Sequence, residues 1–401
     1  MIKVGVIREG KNPPDMRVPL TPKQCVEVAR KFPELDLKVE ASPVRAFKDS
    51  SYSDLGTVVV ADVSDADVLI GVKEVPLDML VPNKTYFFFS HTTKEQPYNR
   101  ELLQTILAKK IRIIDYEGLT DENGVRIIGF GYYAGIVGAY NGIKAWGLRH
   151  KSFELCSALK LHSLAEMGSE LEKAKLPNIK IALTGAGKVA TGVLDVMQLM
   201  GIKKVSPEEY VSKTYTEPVF TQLRVDDYNK RKDGKEMPRV DFYKNYREYD
   251  ADFMRFAKVT DLYIAGHFYA EDSPFIFTRE DAKSPDFKIQ VVADISCDID
   301  GPVASTLRPS TIADPMYGYH AASETEVAFD QKEAITVMAV DNLPCEFPTV
   351  ASEGFGNEMV NKIIPQLFNG DAGDILKRAT IAENGKLSDK YAYLQNFVDG
   401  K

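Results

Sequence analysis

The chain has 401 residues, 44% hydrophobic and 27% charged, with a formal net charge of −8. That length predicts two domains or three, each with a substantial core, and the composition excludes a disordered, collagen-like or coiled-coil chain. A general nucleic-acid binder is more often basic, and no apolar run reaches the roughly 18 residues of a membrane span, so neither partner is expected. Anionic small molecules stay open, because local arginines can hold them whatever the total charge.

Cys25, Cys156, Cys297 and Cys345 lie far apart, with no CxxC and no zinc-type spacing; they read as buried free thiols in a reducing compartment. No His/Cys/Asp cluster has metal-ligand spacing, so no metal is expected. The start, MIKVGVIREG, is a strand pattern rather than a secretion signal, which predicts a cytoplasmic protein.

In chain order, residues 2–7 read as a buried strand. Thr21-Pro22-Lys23-Gln24 reads as a helix start with a capping box. Apolar runs at 59–61, 68–72, 86–90 and 112–115 are further strands, and Leu102, Leu103, Ile106 and Leu107 recur at helical spacing. Strands alternating with helices predict a parallel sheet covered on both faces. Residues 130–149, rich in Gly, Ala and aromatics, predict a closely packed helix linking two domains, followed by a longer helical stretch over roughly 150–174. The pattern restarts at Asn178, and residues 206–257 read as a polar insertion with an exposed surface. Strands resume at 262–266, 289–296 and 335–340, and the tail after about 350 is helical.

The strand at 179–184 runs directly into Gly185-Ala186-Gly187-Lys188-Val189-Ala190-Thr191-Gly192. A first glycine there permits a tight turn and a second lets the backbone approach a pyrophosphate. The following helix N-terminus offers free N–H groups to that anion. Gly185, Gly187, Lys188 and Val189 are therefore candidate cofactor residues. The ribose-reading acid is expected about 20 residues on. That is near Glu208 and Glu209, which favour NAD, with Lys203 and Lys204, which favour NADP, just before; both nucleotides remain open. His267 follows a strand end near the same edge.

In the first domain Lys73-Glu74 ends one apolar strand and His91 another, with Lys94 one turn later. Arg17 precedes the first helix and Arg126 the linking segment. Titratable residues at strand carboxyl ends of an open α/β sheet lie where ligands bind.

Together DMRVPLTP, LIGVKEVP, FFFSHTTK, DYEGLTDENGVRIIGFGYYAG, TGAGKVATG, VVADISCD and VDNLPCEFPTVASEGFG resemble the saccharopine dehydrogenases that form L-lysine. They are also similar to the lysine–2-oxoglutarate reductase part of the bifunctional lysine-degrading enzyme. Both are relatives of alanine dehydrogenase and the transhydrogenase alpha subunit. The resemblance runs to about residue 365 and weakens through 206–257. It implies an α/β protein of two Rossmann-like, doubly wound parallel-sheet domains with a cleft between them. Residues 1–135 with 350–401 would bind substrate, and residues 136–349 would bind NAD, with NADP possible.

The resemblance further implies Lys73 and His91 as catalytic residues. Arg17 and Arg126 would be the carboxylate arginines, with Glu74, Glu117 and Lys94 beside the site. Asp341, Asn342 and Leu343 would lie near the nicotinamide. The implied substrates are saccharopine, L-lysine and 2-oxoglutarate, in a chain that is a monomer or a homodimer. The loop GAGKVATG is closer to the reductase type, so the saccharopine-forming direction is an alternative. Alanine dehydrogenase is another, and a non-catalytic nucleotide sensor is an alternative of a different class.

Overall fold

The computed structural model describes residues 1–401, apart from the side chain of Val240. The chain divides into two units: Met1–Phe130 with Pro348–Lys401, and Gly131–Phe347. None of the described helices is long and apolar enough to cross a membrane.

The first unit is built on β1 (Ile2–Val6), β2 (Leu35–Glu40), β3 (Val58–Val60), β4 (Val68–Ile70), β5 (Thr85–Phe88) and β6 (Arg112–Asp115). All six run parallel. They form one eight-stranded sheet in the order β18-β17-β6-β5-β4-β1-β2-β3, whose edge strands β17 (Thr380–Glu383) and β18 (Lys386–Leu387) come from the tail and run antiparallel. The run Tyr86-Phe87-Phe88 has no polar face because both faces are covered. Tyr86 and Phe88 join a core with Leu69, Leu103 and Ile113, while Phe87 joins another with Val68, Ile70, Ile114 and Phe355. Alternate side chains of a strand point to opposite faces, so a strand buried on both sides must be apolar throughout. The capping box at Thr21 forms as read: its hydroxyl accepts from the Gln24 amide, and the Gln24 side chain accepts from the Thr21 amide.

The second unit holds β7 (Lys180–Thr184), β8 (Lys203–Lys204), β9 (Val219–Leu223), β10 (Asn229–Arg231), β11 (Tyr249–Ala251), β12 (Leu262–Ala265), β13 (Val291–Asp294), β14 (Met316–His320), β15 (Thr325–Val327) and β16 (Ala334–Met338). Its main sheet has the order β15-β14-β16-β13-β12-β7-β9-β8, parallel from β16 to β8, with β14 and β15 antiparallel at one edge. The expected parallel α/β sheets are thus present, each extended by antiparallel edge strands.

The structure departs from three of the expected elements. The glycine-rich segment is a helix, Gly131–His150, but it packs inside the second unit against the helix Lys188–Leu199. The approach is so close that a Cβ at Gly135 would lie 1.9 Å from the Val189 carbonyl oxygen, and one at Gly192 2.0 Å from that of Tyr132. The helical stretch expected after residue 150 is confined to Leu164–Leu171. Lys151 takes a left-handed φ of 52° just past His150, and Ser163 caps a fresh start. Finally, residues 206–257 are not a surface insertion. They supply β9, which lies directly beside β7, and Tyr210, Phe253 and Phe256 are wholly buried in the core. Most of the polar residues between them face outward, Thr221 and Asn229 excepted, and their number disguised the aromatic pattern.

Candidate active site

In the first unit the parallel strands deliver their carboxyl ends to one edge. β4 leads to Lys73 and Glu74, β5 to His91, β6 to Glu117, and β1 to Glu9. Glu74 is the hub: one carboxylate oxygen lies 2.5 Å from His91 Nδ1, and the other accepts from Lys11 Nζ at 2.7 Å. Burial pushes the Glu74 carboxyl upward, but these two partners take it down to about 2, so it is ionised at neutral pH. An ionised carboxylate only accepts hydrogen bonds. Nδ1 must therefore donate, which leaves the Nε2 lone pair of a neutral His91 as the basic nitrogen. His91 itself takes a left-handed backbone, φ 54°, which costs roughly 1–2 kcal/mol for a non-glycine residue. Its carbonyl accepts from Asn99 Nδ2 at 3.4 Å.

Glu117 stands between Arg126, at 3.6 Å, and Lys94, at 3.8 Å, and both cations are about half exposed. Arg17 is in a different state. Its side chain is 2% exposed, Nε and one Nη donate to the equally buried Asp15, and its guanidinium lies 4.1 Å from the Phe130 ring centroid. Arg126 and Lys94 are thus the exposed cations of this cluster, while Arg17 is committed to Asp15 along one edge.

Glu9 was not singled out in the sequence. Its carboxylate accepts from the Val72 amide at 2.7 Å and the Lys73 amide at 2.9 Å, so it holds the turn that presents Lys73. The available signal was its position, an acid just past the carboxyl end of β1. Desolvation, reinforced by the neighbouring Asp15, raises its carboxyl from 4.5 to about 8. The folded state then binds this proton more tightly than the unfolded state between those values. Its contribution to stability is full below about pH 4.5 and falls as pH rises towards about 8. Glu9→Gln, which has nothing to titrate, should flatten that part of the dependence even though it gives up one acceptor. Thermal melts across this window measure it. An equal pH slope in variant and parent would refute the assignment.

In the second unit a cavity of about 540 Å³ is lined by Gly185, Ala186, Gly187, Lys188 and Val189, and by Arg224, Val225, Tyr228, Arg239, Tyr243, Gly266, His267 and Phe268. Gly185 has φ +110°, and a Cβ there would meet the Gly266 carbonyl oxygen at 2.3 Å, so only glycine makes this turn. A Cβ at Gly187 would meet nothing within 4 Å, leaving its backbone open to a ligand at the start of the helix Lys188–Leu199. His267 Nδ1 lies 2.9 Å from Thr184 Oγ1, which in turn lies 2.8 Å from the Tyr263 hydroxyl. Burial pushes the imidazole down to about 4, so it is neutral. Its Nε2 is buried and has no partner among the described residues. An open glycine cradle at a helix N-terminus beside an unsatisfied imidazole nitrogen fits the pyrophosphate and ribose of a dinucleotide.

Two expectations about this region change. Glu208 is not in the cavity. It sits in the first turn of the helix Pro207–Ser212 beyond β8, and β9 separates β8 from β7. The residue at the carboxyl end of the strand beside β7 is Arg224. Asp341, Asn342 and Leu343 follow β16 at the same carboxyl edge but do not line this cavity, and Leu343 is buried, close to the helix at Gly138.

Two such α/β units define a dehydrogenase-like fold, and it is that of an L-alanine dehydrogenase of known structure. The two superpose with a TM-score of 0.65 over 100% of this chain and 99% of that one, at 16% identity. Residues 5–137 match the alanine dehydrogenase/PNT N-terminal domain. Over 98% of its length the chain is 29% identical to the mouse mitochondrial alpha-aminoadipic semialdehyde synthase, of which it spans about half (48%). Over 89% of its length it is 26% identical to the saccharopine dehydrogenase [NAD(+), L-lysine-forming] of Schizosaccharomyces pombe, of which it spans 91%. The chain is thus similar to proteins bearing the names that the motifs suggested.

Proposed function

We propose that the chain is an NAD(P)-dependent oxidoreductase of lysine metabolism that interconverts saccharopine with L-lysine and 2-oxoglutarate. The first unit would bind substrate and the second the nucleotide. The observation that carries this reading is the Lys11–Glu74–His91 cluster beside Lys73, with two exposed cations at Glu117. These are the residue types the reaction needs, at the edge where a parallel sheet binds its ligands.

Saccharopine is a secondary amine. A nucleotide held by the glycine loop at 185–189 would supply the hydride acceptor for the carbon beside the nitrogen, and the donor in the reverse direction. The rest falls to the chain. The amine must first lose its ammonium proton, and Lys73 is assigned to receive it. Loss of the hydride from the neutral amine leaves an iminium on the substrate. Water adds to that iminium and gives up a proton, and the carbinolamine splits into L-lysine and 2-oxoglutarate. His91, whose Nδ1 is held by Glu74 so that Nε2 is left for the substrate, is assigned the proton transfers of those steps. Arg126 and Lys94 hold substrate carboxylates, Arg126 by a forked pair of hydrogen bonds. Arg17 is assigned to the same carboxylates, and Asp15 fixes its orientation.

Nicotinamide absorbance followed with lysine plus 2-oxoglutarate, against ammonia plus pyruvate, tests the reading. Oxidation of the reduced nucleotide only with the first pair is expected. Oxidation only with the second would make the chain an alanine dehydrogenase, and none with either would overturn the enzymatic reading.

A further inference from the structure

A buried carboxylate that the proposed mechanism does not use stands behind the cluster of the first unit. Asp115 is the last residue of β6, is 1% exposed, and pairs in register with Phe88 at the end of β5. One of its oxygens accepts from the Ser90 amide at 2.8 Å and from the Ser90 hydroxyl. The other accepts from the Glu117 amide at 2.7 Å. Burial pushes its carboxyl up, and the only charged side chain that bears on it is another acid, Glu117. A buried carboxylate without a counter-charge is costly, so packing alone would favour an apolar residue at this strand end.

The hydrogen bonds of Asp115 run to both halves of the candidate site. Ser90 gives its one hydroxyl proton to Asp115, so its oxygen accepts from the Thr92 hydroxyl at 2.8 Å and the Thr92 amide at 3.3 Å. The residues on either side of His91 are thereby tied to each other and to β6. Between them His91 keeps its left-handed φ of 54°, with Nδ1 on Glu74. The second oxygen of Asp115 fixes the turn Tyr116–Gly118, whose Glu117 holds Arg126 and Lys94. Ser90, Thr92 and Asp115 are all buried, so solvent does not compete for these bonds.

We infer that Asp115 is a positioning residue of the active site: it sets His91 through Ser90 and Thr92, and it sets Arg126 and Lys94 through Glu117. This rests on the proposed function and deepens it. A carboxylate offers one acceptor oxygen to each side, whereas asparagine has one oxygen and one NH2. Asp115→Asn therefore leaves either the Ser90 amide or the Glu117 amide facing a donor.

Asp115→Asn and Ser90→Ala, each in the full chain, test this by nucleotide binding, by kinetics with lysine plus 2-oxoglutarate, and by nitrogen-15 NMR of the imidazoles. His91 is assigned by its absence from the spectrum of His91→Gln. Displacing a reacting group by about 1 Å can cost on the order of 10²-fold in rate. Asp115→Asn is expected to lower kcat by roughly 10- to 100-fold per nucleotide site, to raise KM for 2-oxoglutarate, and to shift the His91 resonances. Ser90→Ala keeps both amide bonds of Asp115 and breaks only the link to Thr92. It should shift the same resonances and lower kcat with KM little changed. Counted per folded, nucleotide-binding site, a loss of stability alone would move none of these. An unchanged kcat in Asp115→Asn, or a lowered kcat with His91 resonances like the parent's, would overturn the inference. If Asp115→Asn does not fold, Ser90→Ala decides, and parent-like kcat and resonances there would overturn it equally. A parent that does not turn over lysine plus 2-oxoglutarate would overturn the functional reading instead. The resonances need no substrate and would still decide whether Asp115 sets His91.

Discussion

Lys73→Met and His91→Gln are each expected to lower turnover about 10²–10⁴-fold, the usual worth of one positioned acid or base, with nucleotide affinity unchanged. The grounds are local. Lys73 is half-buried beyond β4, held by Glu9 through its backbone amide. Methionine keeps the unbranched apolar stem and removes only the amine. His91 is tied to Glu74 through Nδ1; glutamine can retain that donor but has no basic nitrogen to replace Nε2. The nucleotide cavity belongs to the other unit and contains neither residue. Binding titrations of the reduced nucleotide beside steady-state kinetics separate loss of chemistry from loss of fold. Turnover within a few-fold of the parent in either variant would remove that residue from the catalytic role.

How much of this was legible in the sequence follows from the range of each signal. The glycine loop and the strand ends at Lys73 and His91 are local patterns, and the structure places all of them at carboxyl edges of parallel strands. Strand order is not local. The ribose reader was sought by counting residues from Gly185, which led to Glu208, but the chain passes through the edge strand β8 before returning as β9 beside β7. Counting along the sequence cannot register that interposition, whereas pairing does. Glu9 escaped for the same reason: its partner Lys73 lies 64 residues away and is reached through a backbone amide, which no side-chain motif records. Arg17 was legible as a site arginine, but its near-complete pairing with Asp15 was not, since D-x-R is too short a pattern to reveal a buried ion pair.

That pair sets the largest expected effect on stability. Asp15 and Arg17 are 3% and 2% exposed, and the guanidinium also stacks on Phe130. Phe130 in turn stacks on Phe355 of the tail helix Pro348–Glu358, with ring centroids 4.6 Å apart and planes within 8°. The guanidinium is therefore held by a carboxylate that is itself buried. Asp15→Ala would take the paired carboxylate from a buried positive charge, and breaking one partner of a buried pair typically costs about 3–5 kcal/mol. Removing both charges is a different change: Asp15→Ala with Arg17→Met leaves no unpaired charge, and methionine keeps much of the stem that packs on Phe130. The double variant should therefore recover a large part of the single variant's loss in urea unfolding. A loss under about 1 kcal/mol in the single variant, the range of exposed pairs, would mean that water reaches the guanidinium after all. Failure of the double variant to recover would mean that Asp15 stabilises the unit chiefly through its acceptance of the Arg17 backbone amide at 2.9 Å, a bond that Asp15→Ala removes in both variants and that charge neutralisation cannot restore.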